Sequence, residues 1–464
     1  MREVNGEKWK ATAGRLFADY GMVLVLLLLC VLFSAITWEL QHPEGSDAAD
    51  QVVRRIRATH GPADAVLIGA GKGDAPEEFV ARALAVLKKA GWTGQDIVVA
   101  RKPAELRKAL VEAAAGHRPL SALGVTSRFS QLPLLDDVRQ EFPGLGDIDI
   151  FRPGPYWGPT FLTRRNLVDN VAYRSVVIAV IAIGMTMVII TAGIDLSVGS
   201  LIALSAVLTT CLIREWAGGY NATAAGMILC CLGAIAACGL VGCFSGVMVT
   251  LFSIPPFIVT LAMMLIASGL AFMIAGGQSI YQVPPSIDWL GRGRDLFGVP
   301  NIVVMMVILY AIAHILMRKT VLGRYIYAVG GNVEAARLSG VPVRRVLLFV
   351  YSVCGALAGL GGVVQASKLR TGAATYGQGY ELDVIAATVV GGTSLAGGQG
   401  RILGTLIGAL IIGVIRNGMN LTGVKPYPQK VVLGAVILGA VLLDMLKKRR
   451  WRRPRFWTRR GGRL

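Results

Sequence analysis

Asp195 stands in "VIITAGIDLSVGSLIALS" (188–205), where two apolar runs flank a short polar break containing serines and glycines. A carboxylate within a membrane span costs about 2.5–3.5 kcal/mol or more unless it faces protein or water. Two readings are open, and they are compatible. Asp195 or Ser197 can cap the following helix by accepting from its free backbone N–H groups. Alternatively, the break is a polar hinge in a translocation path, where irregular backbone is tolerated because it lines a cavity. Other chemistry finds less support. "GAGKG" (69–73) follows an expected strand, but Gly73 stands where a phosphate-binding loop needs Ser or Thr, so a plain strand-to-helix turn is expected. The cysteines (30, 211, 230, 231, 238, 243 and 354) all fall in apolar segments, which disfavours a disulfide framework or zinc site. The histidines (42, 60, 117 and 314) are scattered, and no metal site is expected. No acid/base pair or activated nucleophile stands out, so the sequence does not read as an enzyme.

The elements that must position Asp195 follow from composition. Only 16% of the 464 residues are charged, against roughly 25% in a soluble protein, and 54% are hydrophobic. Apolar runs near the ~18–20 residues that span a bilayer recur. The expected fold is a polytopic α-helical membrane protein with about ten transmembrane helices and glycine-rich broken or re-entrant segments. Their places are near 20–40, 172–191, 196–213, 224–249, 256–276, 300–317, 346–367, 382–396, 402–420 and 428–446. The first reads as a retained helix, since no small-residue cleavage site follows it.

Residues 41–157 are polar, with basic and acidic residues in balance, so the net charge of +19 arises elsewhere. The basic residues concentrate in the amino terminus, the loop 318–345 and the tail 447–464, which places all three in the cytoplasm. Such placement fits anionic lipid rather than nucleic acid. The domains expected are therefore 1–40 (amino terminus and first helix), 41–157, a core at 158–446, and the tail. Segment 41–157 lies outside the cytoplasm and alternates strand and helix patterns, which predicts a small inserted α/β domain. Its strands are expected in "ADAVLIGAG", "QDIVVA", "LSALGVTS" and "DIDIF", with a final helix over "QLPLLDDVRQEFPG".

A second break lies in "VVGGTSLAGGQGRILGTLIGALIIGVIRNGMNL" (389–421). Its glycines permit a tight re-entrant turn, and Gly404-xxx-Gly408 and Gly242-xxx-Gly246 provide close helix contacts. "LAGGQ" (395–399) nearly matches the signature of ABC ATPase subunits, but no Walker A sequence accompanies it, and the match reads as coincidence. In 318–346, "NVEAARLSG" predicts a short surface helix with an Asn cap and a terminal Gly. From composition it is either a solvated connector or a docking helix.

Together, "GMTMVIITAGIDLSVGSLIALS", "GRYIYAVGGNVEAARLSGVPVRR" and "ELDVIAATVVGGTSLAGGQGRILGTLIGALIIGVIRNGMNLTGV" resemble the permease subunits of ribose-type sugar ABC importers. "PPFIVTLAMMLIASGLAFMIAGGQSI" (255–280) fits the same family, and the likeness is close over 158–446 and loose over 15–40. The resemblance implies a bacterial inner-membrane subunit forming the pathway with a second permease copy. Cytoplasmic ABC ATPase subunits, carrying ATP and Mg, drive alternating access. An extracytoplasmic sugar-binding protein delivers ribose, xylose or another monosaccharide. No cofactor is then expected in this chain. The segment "EAARLSG" matches the ATPase-contacting region, implying a coupling helix with Asn332, Glu334, Ala335, Ala336 and Gly340. Asp195, Ser197 and Gly199 fall on one intramembrane signature, and Asp383, Thr393 and Asn417 on another, as candidates for the path or gate. The insertion at 41–157 departs from the family, and three roles are open to it: contact with the binding protein, which is the favoured one, ligand binding of its own, or packing on the permease. The rival readings are an ion-coupled secondary transporter and a membrane receptor with an extracytoplasmic ligand domain.

Overall fold

The structure, a computed structural model, describes residues 21–451 apart from 94–95, 117–119, 136–137, 146–147 and 165. The basic amino terminus and most of the basic tail lie outside the described residues. The chain divides into two compact units, Trp38–Thr160 and the remainder.

Helix α1 (Gly21–Ile36) ends sooner than its apolar run suggested. The next residues are extended as β1 (Trp38–Gln41), held by antiparallel pairing with Tyr156–Pro159. The unit that β1 opens continues with α2 (Gly45–Thr59), β2 (Val66–Gly69), α3 (Asp74–Lys89), β3 (Ile97–Ala100), α4 (Pro103–Ala114), β4 (Ala122–Val125), α5 (Val138–Glu141), β5 (Asp149–Phe151) and β6 (Tyr156–Pro159). Strands β2 to β5 form one parallel sheet in the order β3-β2-β4-β5. Side chains alternate across it, as the two-residue strand period demands. Val66 and Ile68 bury against Val52 and Ile56 of α2 and Phe79 and Leu87 of α3. Leu67 faces the other way, with Leu106, Leu110 and Phe129. "GAGKG" is the turn from β2 into α3, with Gly71 laid against the Phe129 ring. The helix expected over "QLPLLDDVRQEFPG" is instead two short 3-10 turns flanking the four-residue α5. Pro133 and Pro143 account for this, because proline lacks the N–H and restricts the residue before it.

In the other unit a π-helical turn (Asn166–Ala172) leads into α6 (Tyr173–Ile190), followed by α7 (Val198–Glu215), α8 (Ala224–Leu251), α9 (Pro256–Ala275), α10 (Asp288–Arg292) and α11 (Asn301–Lys319). Then come α12 (Val321–Gly331), α13 (Val333–Leu338), α14 (Val343–Leu369), α15 (Tyr380–Val390), α16 (Ile402–Leu421) and α17 (Pro426–Trp451). Among the described residues, seven helices are long and apolar enough to cross a membrane: the π turn with α6, then α7, α8, α9, α11, α14 and α16. Helix α1 and the apolar part of α17 (Pro426–Leu442) are shorter. Helix α15 has 11 residues and stops short of the expected 396, because Gly391 and Gly392 end it.

Helix α14 packs on α6, α7 and α8, and close approach explains its glycines. A Cβ on Gly242 of α8 would strike the Tyr351 carbonyl, and one on Gly359 would lie 2.9 Å from the Cys238 Cβ. Such contacts let apolar helices associate where lipid offers no hydrophobic drive. On α16, Gly404 and Gly408 lie against Ala387 of α15 and Gly391 at its end in the same way.

Candidate functional site

The links after α6 and α15 begin alike. At the end of α6, Ala192 N–H donates to Ile189 O (2.9 Å) and Gly193 N–H to Val188 O (3.0 Å). At the end of α15, Gly392 N–H donates to Val389 O (2.9 Å) and Thr393 N–H to Thr388 O (3.0 Å). Each pair forms the left-handed terminus that satisfies otherwise free carbonyls. In α6 that left-handed residue is an alanine, Ala192 at φ 63°.

Beyond the first terminus, Asp195 is fully buried. Its Oδ1 accepts from Ser197 N–H (2.9 Å) and Ser197 Oγ (2.6 Å). The capping reading therefore holds for Asp195, whereas Ser197 occupies the N-cap of α7 without a side-chain cap bond. Asp195 Oδ2 receives no N–H or O–H donor among the described residues, and the buried Cys354 thiol sits beside the carboxylate. Tyr351 Oη, also unpartnered, lies against Gly193.

The two links meet. Gly398 N–H donates to Ile190 O at 2.8 Å, and Gly397 packs on Ala192. Thr393, buried and with no hydroxyl partner among the described residues, lies against Gly400. The last turn of α12 closes on this junction: a Cβ on Gly330 would collide with Ile190 O and lie 2.7 Å from Gly398 N. Tyr327 Oη donates to Gly400 O at 2.8 Å. Three stretches of backbone thus meet with almost no side chain between them. Asn332 ends α12 and starts α13, where its Oδ1 accepts from Ala335 N–H (3.0 Å). On α13, Ala336 is buried, Glu334 and Ala335 are exposed and Leu338 is 88% exposed; Gly340, just beyond the helix, is exposed as well.

The remaining residues of interest lie elsewhere. Asp383, buried in the first turn of α15, accepts from Arg416 Nη2 of α16 on both oxygens, at 2.6 and 2.5 Å. Asn417 donates to Asn166 Oδ1 (3.0 Å) in the π turn, toward the opposite end of α16 from the links. The six candidates for path or gate therefore do not form one cluster. Thr393 belongs to the junction, Asp195 and Ser197 sit together at the start of α7 beside Gly199, and Asp383 and Asn417 tie helices together.

Gly199 leads to a feature that the sequence did not reveal. Residues 370–379 are non-helical and run beside α7, Gly372 against Ala206 and Thr210, Gly377 against Gly199 and Ile202. Where this segment becomes α15, a cavity of about 240 Å³ opens between it, α7 and α9, lined by Gly199, Ser200, Met264, Ser268, Gln378 and Glu381 among others. The eleven residues of α15 rise about 16 Å, which separates the cavity from the junction. Irregular backbone among membrane-spanning helices requires burial in protein or a wet cavity.

Comparison with known proteins identifies the architecture. A model for the permease component of branched-chain amino acid transport systems matches residues 167–441. The chain belongs to this permease family. It is 45% identical to the ribose import permease protein of Escherichia coli over 62% of this chain and 88% of that one. The corresponding Bacillus subtilis protein is 43% identical over 62% and 87%, and the Escherichia coli D-allose transport system permease 37% over 62% and 86%. No solved structure matches the permease.

Proposed function

We propose that this permease is the transmembrane subunit of an ATP-binding-cassette importer for a monosaccharide and forms the pathway by alternating access. The relatives named for ribose and D-allose support the substrate class. One geometric observation carries the mechanism: the exposed α13 continues through Asn332 into α12, whose last turn rests on both broken links. A push on α13 therefore reaches the ends of α6 and α15 through backbone contacts that cannot yield by side-chain rotation. Separate ATPase subunits, carrying ATP and Mg, supply that push. Glu334, Ala335 and Gly340 face them, Asn332 holds the helix start, and Ala336 anchors it inward. Asp195, Ser197 and Thr393 serve as gate residues, and Gly199 borders the path. Asp383 and Asn417 keep α15 and α16 in place.

In this reading the protein sits in a bacterial inner membrane beside a second permease copy, with lipid around it. Both termini and residues 318–345 face the cytoplasm, in keeping with their positive charge. The unit Trp38–Thr160 lies outside and docks the sugar-binding protein. The chain needs no cofactor and catalyses no reaction. Proteoliposomes holding the permease alone, or with ATPase and binding protein, test this with labelled D-ribose and D-allose. Uphill accumulation is expected in the full complex with ATP. Accumulation by the permease alone under an ion gradient would replace this reading with ion-coupled transport.

A further inference from the structure

Resting on that reading, we propose that the cavity between α7, α9 and the start of α15 is the sugar subsite of the pathway. Its fixed hydrogen-bonding groups are Glu381, Gln378, Ser200 and Ser268. The first observation is what these serines do not do. Hydroxyls in transmembrane helices commonly bond back to the carbonyl four residues earlier. Ser175, Thr186, Ser245 and Thr250 do so, at 2.6, 2.6, 3.2 and 2.8 Å. Ser200 and Ser268, on two different helices, make no such bond and both line the cavity. Gln378 and Glu381 also reach it without a hydrogen bond or ion pair among the described residues, whereas Asp383 is taken by Arg416. Four polar side chains with unused capacity, three of them half-buried and Gln378 exposed, converge on one cavity between membrane-spanning helices.

The chemistry of these groups selects the ligand. An ionised carboxylate only accepts, and two vicinal hydroxyls can donate to its two oxygens. Serine hydroxyls and the Gln378 amide both donate and accept, as sugar hydroxyls require. The Met264 and Leu265 side chains supply an apolar wall for the C–H face of a ring. At about 240 Å³ the cavity is smaller than the ~300–1,000 Å³ of drug-sized sites, which suits one sugar ring rather than two. Glu381 also opposes an anionic group at this position. That favours a neutral polyol over a sugar phosphate.

Assembled importer, with ATPase and binding protein, provides the test through D-ribose and D-allose uptake. Glu381→Gln and Ser268→Ala should each lower uptake efficiency about tenfold or more, because each removes a hydrogen bond made to substrate. Ser268→Leu, which fills the cavity, should abolish uptake. In all three, subunit co-purification and thermal unfolding should stay at the parental level. Ser245→Ala, at a back-bonded serine, should leave uptake unchanged. Parental uptake by Ser268→Leu and Glu381→Gln would overturn the subsite while leaving the importer reading intact. Failure of the unmutated complex to move either sugar with ATP would overturn the importer reading and the subsite with it.

Discussion

The Asp383–Arg416 pair gives the sharpest measurement of what seats the half-helix α15. Asp383 is 7% exposed, and one guanidinium nitrogen reaches both of its oxygens at 2.6 and 2.5 Å. Removing one partner of a buried pair costs about 3–5 kcal/mol, since the survivor keeps its desolvation penalty. Arg416 retains 38% of its side-chain exposure, so water recovers part of that cost. About 2–3 kcal/mol is then expected for Asp383→Asn, or roughly 30- to 150-fold in the equilibrium between seated and released α15. Arg416→Gln should cost more, about 3–5 kcal/mol, because it strands the more deeply buried carboxylate. The double variant removes both charges and should recover much of the loss. The assay is thermal unfolding in lipid nanodiscs of the parent, both singles and the double, read as a double-mutant cycle. A double variant whose loss equals the sum of the singles would refute the clamp, and so would an Asp383→Asn protein with parental stability. Uptake adds a second reading: if the double is stable yet transports nothing, Asp383 acts on solute and not only on Arg416.

The other predictions test the junction, the coupling helix and the inserted unit. Asp195→Asn keeps the acceptor for Ser197, whereas Asp195→Ala strands a buried N–H and should cost about 1–2 kcal/mol more; equal melting of the two variants would discredit the cap. Tyr327→Phe and Gly330→Val should lower sugar moved per ATP hydrolysed while ATPase co-purification persists, and an unchanged ratio would remove α12 from the transmission path. Glu334→Arg should abolish ATPase co-purification while the permease still inserts. Gly340→Trp should do the same, with added strain of about 1–2 kcal/mol because φ is 80° there; retained ATPase in the Glu334 variant would show that α13 is not the docking helix. Gln41 and Tyr156 are partners in the β1–β6 ladder, so an Asn-Gly turn joining them excises the α/β unit and keeps the ladder closed. Uptake driven by the binding protein should then fall, and unchanged uptake would eliminate a docking role.

What could be read from the sequence was local. Apolar runs placed α7, α8, α9, α11 and α16 to within a few residues, because burial in lipid imposes a composition that needs no knowledge of neighbours. The Asp195 cap was readable because its donor is two residues away. Helix α12 was missed because its glycine-flanked run is too short to carry a period, although Thr320 caps it. The pairing of β1 with β6 joins residues separated by a whole domain. Asp383 stood out in the sequence, yet nothing local indicated that Arg416, 33 residues on, faces it. The cavity is the extreme case. Ser200, Ser268, Gln378 and Glu381 come from three separate stretches, and each alone reads as an ordinary polar residue beside an apolar run.

The geometry separates two tasks that an alternating-access carrier must link. The junction of the two broken links is built from backbone and small residues and contacts α12 directly. The cavity lies about 16 Å away along α15, with polar side chains and no direct contribution from α12. A rigid half-helix held to α16 by an ion pair connects them, so motion at the junction can alter the cavity mouth without disturbing the groups that bind. Changes at the junction should therefore alter the coupling of ATP to sugar and spare sugar preference. Changes in the cavity should alter preference and spare the basal ATPase cycle. Release of the Asp383–Arg416 clamp should disturb both, because it frees an element that the two regions share.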